Sequence, residues 1–309
     1  MKYLGLLLLL ACATMVYGQS TEGFRVSVSV DLVVLQATVQ DRKGGFASDL
    51  GINDFDVHED GVRQSVSLFR HEDMPVTIGL VIDHSGSMAR KLADVIQAAR
   101  TFVQASSPAD EMFVVNFNEH VSVGLPDSIP FTNKAAELAR AISGSQTTGQ
   151  TALYDAITVA LKRLQTGTRD KKVLIVISDG GDNASVHTLA QVLLQAEASN
   201  AIVYTIGIFD DSDPDRNPGV LRRLARTTGG QAFFPAKPED VVGNCERIAR
   251  DIRSQYTLGY VPGSPALPGV FRAIQVTARG ANGRKFDVRT RSGYIAGSHP
   301  SAFKAETAK

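Results

Sequence analysis

The sequence predicts an α/β protein: a doubly wound, mainly parallel open sheet with a flanking, discontinuous all-β domain. Three observations carry that prediction. In the middle of the chain Val76–Ile82, Val173–Ile177 and Ile202–Ile206 are near-continuous apolar runs, the pattern of strands buried on both faces. Helical stretches separate these runs, and such alternation builds a parallel sheet. The two ends of the chain alternate apolar and polar residues with a period of two, as half-buried strands do.

Composition narrows the function classes. The 309 residues are 43% hydrophobic and 21% charged, which places the chain among globular proteins rather than disordered or collagenous ones. Lys plus Arg (32) balances Asp plus Glu (32), and that neutrality argues against sequence-independent binding to nucleic acid, whose affinity comes from a positive surface meeting phosphates. Two cysteines exclude a disulfide framework, and the six histidines form neither HExxH nor a Cys/His cluster.

Residues 1–18, MKYLGLLLLLACATMVYG, set one lysine before a short apolar run that ends in small residues, the pattern of a secretory signal peptide cut after Gly18. A rival reading takes Leu9-Leu10-Ala11-Cys12 as a lipobox with Cys12 lipidated. Either way the expected location is extracytoplasmic, secreted or periplasmic. No later segment is long and apolar enough for a membrane helix.

The N-terminal β segment, 19–72, opens with Phe24, Val26, Val28, Val30 and Leu32 on one parity; the parity slips at Val33-Val34, and Leu35, Ala37 and Val39 become the apolar face. Asp54–His58 and Val62–Phe69 flank Glu59-Asp60-Gly61, a hairpin signal. At the far end, in 255–297, Tyr256–Val261 reads as a strand, and Phe271–Arg279 with Lys285–Arg291 flank Asn282-Gly283 as a second hairpin. Neither set is large enough to bury a core alone, so the two are expected to pair around the inserted centre; two separate β units is the alternative. Tyr256, Tyr260 and Phe271 are assigned to that core, and residues 298–309 to a flexible tail.

In the centre, 73–254, helices are expected over Ala89–Ala105, Lys134–Ile142, Ala152–Gln165, Ser185–Ser199, Gly219–Thr228 and Pro238–Gln255. Cys245 falls on one helical stripe with Val241, Val242, Ile248 and Ile252, as a small buried hydrophobe. Open sheets of this kind bind ligands beyond the carboxyl ends of their strands. Asp83-His84-Ser85-Gly86-Ser87 follows the first central strand, Ser178-Asp179-Gly180 follows another, and Thr148–Leu153 supplies a third loop that opens a helix. Two carboxylates, Asp83 and Asp179, and the hydroxyls of Ser85, Ser87 and Thr151 form an all-oxygen set suited to a hard divalent cation such as Mg²⁺ or Mn²⁺, with Ca²⁺ also possible. Each also has a bland reading. Asp83, Ser85, Ser87 and Thr151 would serve as helix caps, and Asp179-Gly180 as a turn.

DxSxS after the first strand, the threonine of TGQTALYDA and the Asp of VISDG together resemble the metal-ion-dependent adhesion site of von Willebrand factor A domains. The flanks, with VQDRKGGFASDL, NDFDVHEDGVRQSV, YTLGYVP and FRAIQV, resemble the secreted bacterial VWFA-related proteins. The resemblance implies a Rossmann-like fold over about residues 73–254 and metal ligation by Asp83, Ser85, Ser87, Thr151 and Asp179. It also implies an adhesion function in which the cation engages an exposed Asp or Glu of a protein partner. His84 departs from the pattern, which usually has a small or polar residue there.

Other candidates are weaker. Asp211-Ser-Asp213-Pro-Asp215-Arg-Asn217 lacks the Gly and the bidentate Glu of a calcium loop and reads as a solvated acidic loop. Asp182-Asn183 reads as a helix start. No GxSxG elbow, P-loop or GxGxxG occurs, so the expectation is a non-enzyme. A hydrolase using the same cation, or a structural component of envelope assembly, is the alternative.

Overall fold

The computed structural model describes residues 32–209, 216–264, 267–280 and 283–297. The leader, the alternation before Leu32, the acidic run 210–215, Asn282 and the tail therefore lie outside the described residues. The described residues form one compact unit that contains two sheets.

The flanking sheet opens with β1 (Val33–Gln40), whose buried residues include Val33, Leu35, Ala37 and Val39, the face expected after the parity slip. Next, β2 (Phe55–Glu59) and β3 (Val62–Gln64) close a hairpin around Asp60-Gly61. Both turn residues have positive φ, 47° and 81°, the two-residue geometry that matches strand twist and that Asp-Gly tolerates. The expected second strand, Val62–Phe69, is corrected here: it divides at Ser65, and β4 (Val66–Arg70) turns away to a different neighbour.

Then the chain enters the second sheet. β5 (Val76–Asp83), β6 (Glu111–Phe117), β8 (Lys171–Ser178), β9 (Ile202–Gly207) and β10 (Ala232–Phe233) run parallel, while β7 (Val121–Val123) is antiparallel at one edge. The order β10-β9-β8-β5-β6-β7 makes this sheet doubly wound. β5 is buried at every position, because helices cover both of its faces. Sequence reading missed β6, β7 and β10: β6 is an apolar run like its neighbours, whereas β7 and β10 are too short to show a period.

The helices are α1 (Leu92–Gln104), α2 (Ala135–Ser143), α3 (Leu153–Leu164), α4 (Leu189–Ala198), α5 (Pro218–Thr228) and α6 (Val241–Arg253). On α1 the stripe Val95, Ala98, Ala99, Phe102 and Val103 faces the core at helical spacing. Three helices, α1, α4 and α6, begin a turn or so later than expected. A 3-10 turn, Gly86–Met88, precedes α1, another precedes α6, and α4 starts only after Thr188, which forms a capping box with Gln191. Cys245 is buried on α6 as expected, and Val242 is partly buried against the same cluster.

Finally β11 (Tyr256–Tyr260), β12 (Phe271–Arg279), β13 (Lys285–Arg289) and β14 (Gly293–Ile295) return to the first sheet. β11 pairs with both β1 and β4, β12 pairs with β2, and β13 pairs with β1. N-terminal and C-terminal strands thus share one sheet and one apolar cluster. Tyr256 and Tyr260 lie in that cluster, but Phe271 does not. Ile274, Val276 and Ala278 set the buried parity of β12, which turns Phe271 outward at 46% exposure. The two sheets are tied by Asp251 at the end of α6, which accepts bonds from Thr38 on β1 (2.6 Å) and from Arg289 on β13.

Candidate metal centre

In the central sheet β6 and β8 lie on opposite sides of β5, so the chain order reverses at β5 and leaves a crevice beyond its carboxyl end. β5 ends in Asp83. The register pairs Ile82 with Ile177, which brings the next residue of β8, Ser178, beside Asp83. Ser178 donates its hydroxyl to Asp83 Oδ2 at 2.6 Å, a partner that sequence reading missed because it depends on strand register. The other carboxylate oxygen, Oδ1, accepts the Ser85 N–H at 2.7 Å.

Ser85 and Ser87 stand two residues apart in an extended-then-helical turn, and their hydroxyl oxygens are 3.1 Å from one another. Ser87 also donates to Asp179 Oδ2 at 2.5 Å, across 92 residues of sequence. Four of the five expected residues thus form one continuous network of side chains. Asp179 sits just past β8, where Gly180 takes a φ of +78°. A Cβ on Gly180 would lie 2.5 Å from the Asn217 carbonyl oxygen, so this turn requires glycine for both conformation and space.

Thr151 joins through its loop. Gly149 O accepts the Gly86 N–H at 3.3 Å, and His84 O accepts the Thr148 N–H at 2.9 Å, which seats the second loop against the first. Asn183 Oδ1 accepts the Thr151 N–H at 2.9 Å and Asp182 Oδ1 the Tyr154 N–H at 3.1 Å. Asp182 and Asn183 therefore do not start a helix of their own, as expected from sequence; they hold the start of α3 from the neighbouring loop. The capping readings fare no better at the site. Ser85, before the 3-10 turn, makes no side-chain capping bond, and the cap residues of α1 and α3 are Lys91 and Ala152.

Electrostatics set this cluster apart. Asp83, Ser85, Thr151 and Asp179 are buried and Ser87 is exposed, so the crevice opens on the Ser87 side. Burial first, and then the nearby Asp179 carboxylate, push Asp83 up to about 6, although the Ser178 and Ser85 hydrogen bonds work in the opposite direction. All the groups bonded to Asp83 are neutral. Two close carboxylates in a dry site, with hydroxyls around them, suit a hard divalent cation that would supply the missing positive charge. The donor set therefore fits such an ion. Among the described residues no group of three or more His, Cys, Asp or Glu side chains offers a rival metal site. His84 turns from the crevice: its Nε2 lies 3.2 Å from Asn116 Oδ1, and burial lowers its pKa.

A family model of the von Willebrand factor type A domain matches residues 77–244, which is more than half of the chain. The chain belongs to that family. The A domain covers both carboxylate loops and the threonine loop. Among solved structures, a von Willebrand factor type A protein from Catenulispora acidiphila superposes with a TM-score of 0.52 at 13% identity, over 86% of this chain and 74% of that one. The vWF domain of the type V pili tip protein Mfa5 from Porphyromonas gingivalis gives 0.49 at 16% identity, over 58% and 95%. A curated relative, the uncharacterized protein sll0103 of Synechocystis sp., is 25% identical over 175 residues. That match spans 55% of this chain and 40% of the Synechocystis protein.

Proposed function

We propose that this protein is an exported, non-catalytic binding module that grips a carboxylate of a protein partner through a divalent cation. One observation carries the reading: Asp83, Ser85, Ser87 and Asp179 converge in a buried, acid-rich crevice at the point where the strand order of the A domain reverses. Asp83 and Asp179 would provide charge, and Ser85, Ser87 and Thr151 neutral oxygens that hold geometry. When bound, Mg²⁺ or Mn²⁺, or less suitably Ca²⁺, supplies positive charge and an open position for an incoming Asp or Glu.

Binding rather than hydrolysis is supported by the neighbours of the two serines. Ser87 donates to Asp179 and meets Ser85, while the ring of His84, the histidine next to them in sequence, faces Asn116 and is not placed to activate either hydroxyl. The extracytoplasmic location rests on the leader-like sequence at 1–18, and membership of the VWFA-related subgroup rests on the flanking motifs. Among the described residues no helix is long and apolar enough to cross a membrane. We further take 73–254 as a folding unit, with 19–72 and 255–297 as its flanking β partner.

The test captures a partner from the envelope fraction with and without EDTA, then replaces the acids of its interface by amides one at a time. Binding that vanishes in EDTA, returns with Mg²⁺ or Mn²⁺, and drops at least about tenfold (~1.4 kcal/mol) on one such change is the expected result. Turnover of a test ester or phosphate that depends on the cation would favour the hydrolase instead.

A further inference from the structure

A second cleft, about 660 Å³, lies between the α5–β10 edge of the A domain and strands β12 and β13 of the flanking sheet. None of the five candidate metal ligands lines it. Four arginines do, Arg222, Arg226, Arg289 and Arg291, and no Asp or Glu is among its lining residues. Arg222 and Arg226 are exposed one turn apart on α5, and neither forms an ion pair with a described residue. The Arg222 guanidinium lies 4.5 Å from the centre of the Phe234 ring, which holds it over the cleft. Arg289 is neutralised by Asp251, and the buried Arg291 lies in the field of the Glu197 carboxylate while bonding to oxygens of Gly293, Asn200 and the Glu197 backbone, so the unmatched charge is that of Arg222 and Arg226. Positive charge in this cleft is therefore in excess.

Its walls are not those of a simple anion hole. Ile274, Val276 and Val288 supply apolar surface, and the volume is that of a site for a chain segment or a drug-sized ligand rather than one phosphate. Gln231, Ala232 and Phe234 also line it, and they belong to or adjoin β10, the edge strand of the central sheet. An edge strand offers main-chain groups to an incoming strand, and alternate side chains of that strand can then meet pockets of different character.

We propose that this cleft docks an extended acidic peptide segment of a partner protein, which adds to the edge of β10 and presents its carboxylates to Arg222 and Arg226. The site does not depend on the cation reading. Planar guanidinium groups suit carboxylates in bidentate fashion, and the apolar wall accepts the intervening side chains.

A fluorescein-labelled peptide of alternating glutamate and valine, about eight residues long, serves as the probe for the full-length protein by anisotropy. Wild type should bind it equally with Mg²⁺ or EDTA. The double variant R222Q/R226Q, altered only on an exposed helix face, should bind at least about tenfold more weakly, as loss of two charge-assisted contacts implies, while R100Q on α1 should match wild type. Methylation of alternate peptide amides should abolish binding by blocking strand pairing. Failure of wild type to bind, or equal binding by R222Q/R226Q, overturns the proposal. Retained binding of the methylated peptide, or displacement by an equal concentration of inorganic phosphate, reveals an anion pocket without strand docking and overturns it as well. Loss in EDTA would assign the peptide to the cation site.

Discussion

Asp83 and Glu59 are both fully buried carboxylates, one in each sheet, and the chain treats them in opposite ways. Glu59 ends β2 and accepts two N–H groups of Arg272, one of them at 2.9 Å, as well as the hydroxyls of Tyr260 at 2.7 Å and Tyr294 at 3.1 Å. Its charge is matched from within the same sheet and all its partners are in place. Asp83 receives only neutral donors and faces a second acid. A buried acid that the chain itself neutralises is architecture, because removing one partner leaves the other stranded. At Asp83 the chain supplies no counter-charge, which is the feature that singles it out as a candidate for a charge from outside.

The comparison can be broken most directly by truncation. Removing residues 255–309 deletes β11 to β14, which separate β1, β2 and β4 in the flanking sheet, so a fragment of residues 20–254 should expose apolar surface and aggregate. Residues 73–254 alone should fold and still be stabilised by Mg²⁺. A monomeric 20–254 fragment as stable as the whole protein, by gel filtration and urea melting, would refute the shared sheet as a stability unit. Next in size, Glu59→Ala leaves two buried tyrosine hydroxyls without their acceptor and Arg272 with Asp60 alone (2.8 Å), and should cost about 3 kcal/mol in urea unfolding, with the same value in Mg²⁺ and EDTA.

Asp83→Ala should behave conversely. In EDTA it should be no less stable than wild type, because it removes an unneutralised buried carboxylate. In Mg²⁺ at a hundredfold excess over Kd, wild type should gain about 2.7 kcal/mol and the variant nothing. Equal melting shifts in the two proteins would remove the metal centre. Thr151→Ala deletes one neutral oxygen from the loop, and should weaken cation-dependent partner binding about tenfold, ~1.4 kcal/mol, without moving the melting temperature in EDTA. Smallest of all, Phe271→Ser on the outward parity of β12 should change stability by no more than about 0.5 kcal/mol; a larger loss would mean that this ring is covered in solution.

Much of this was written locally in the chain. The apolar runs of β5, β8 and β9, the helical stripes and the Asp60-Gly61 turn depend on neighbours a few residues away, and the structure bears them out. Asp83, Ser85 and Ser87 were legible for the same reason: a strand end followed by an extended turn fixes where alternate side chains point. What remained invisible depends on pairing between distant segments. Ser178 meets Asp83 only through the register of β5 against β8, and Asp182 and Asn183 support α3 only because their loop folds back on it. The small size of each set of strands suggested that the two ends of the chain share a sheet, but not that β4 would leave its hairpin for β11. Nor could it gather Arg222 and Arg226 from a helix with Arg289 and Arg291 from a strand and the turn after it. Local pattern sets which face of an element is apolar. The partner that covers that face, and the charge left over once it is covered, are decided only when all the elements compete for the same core.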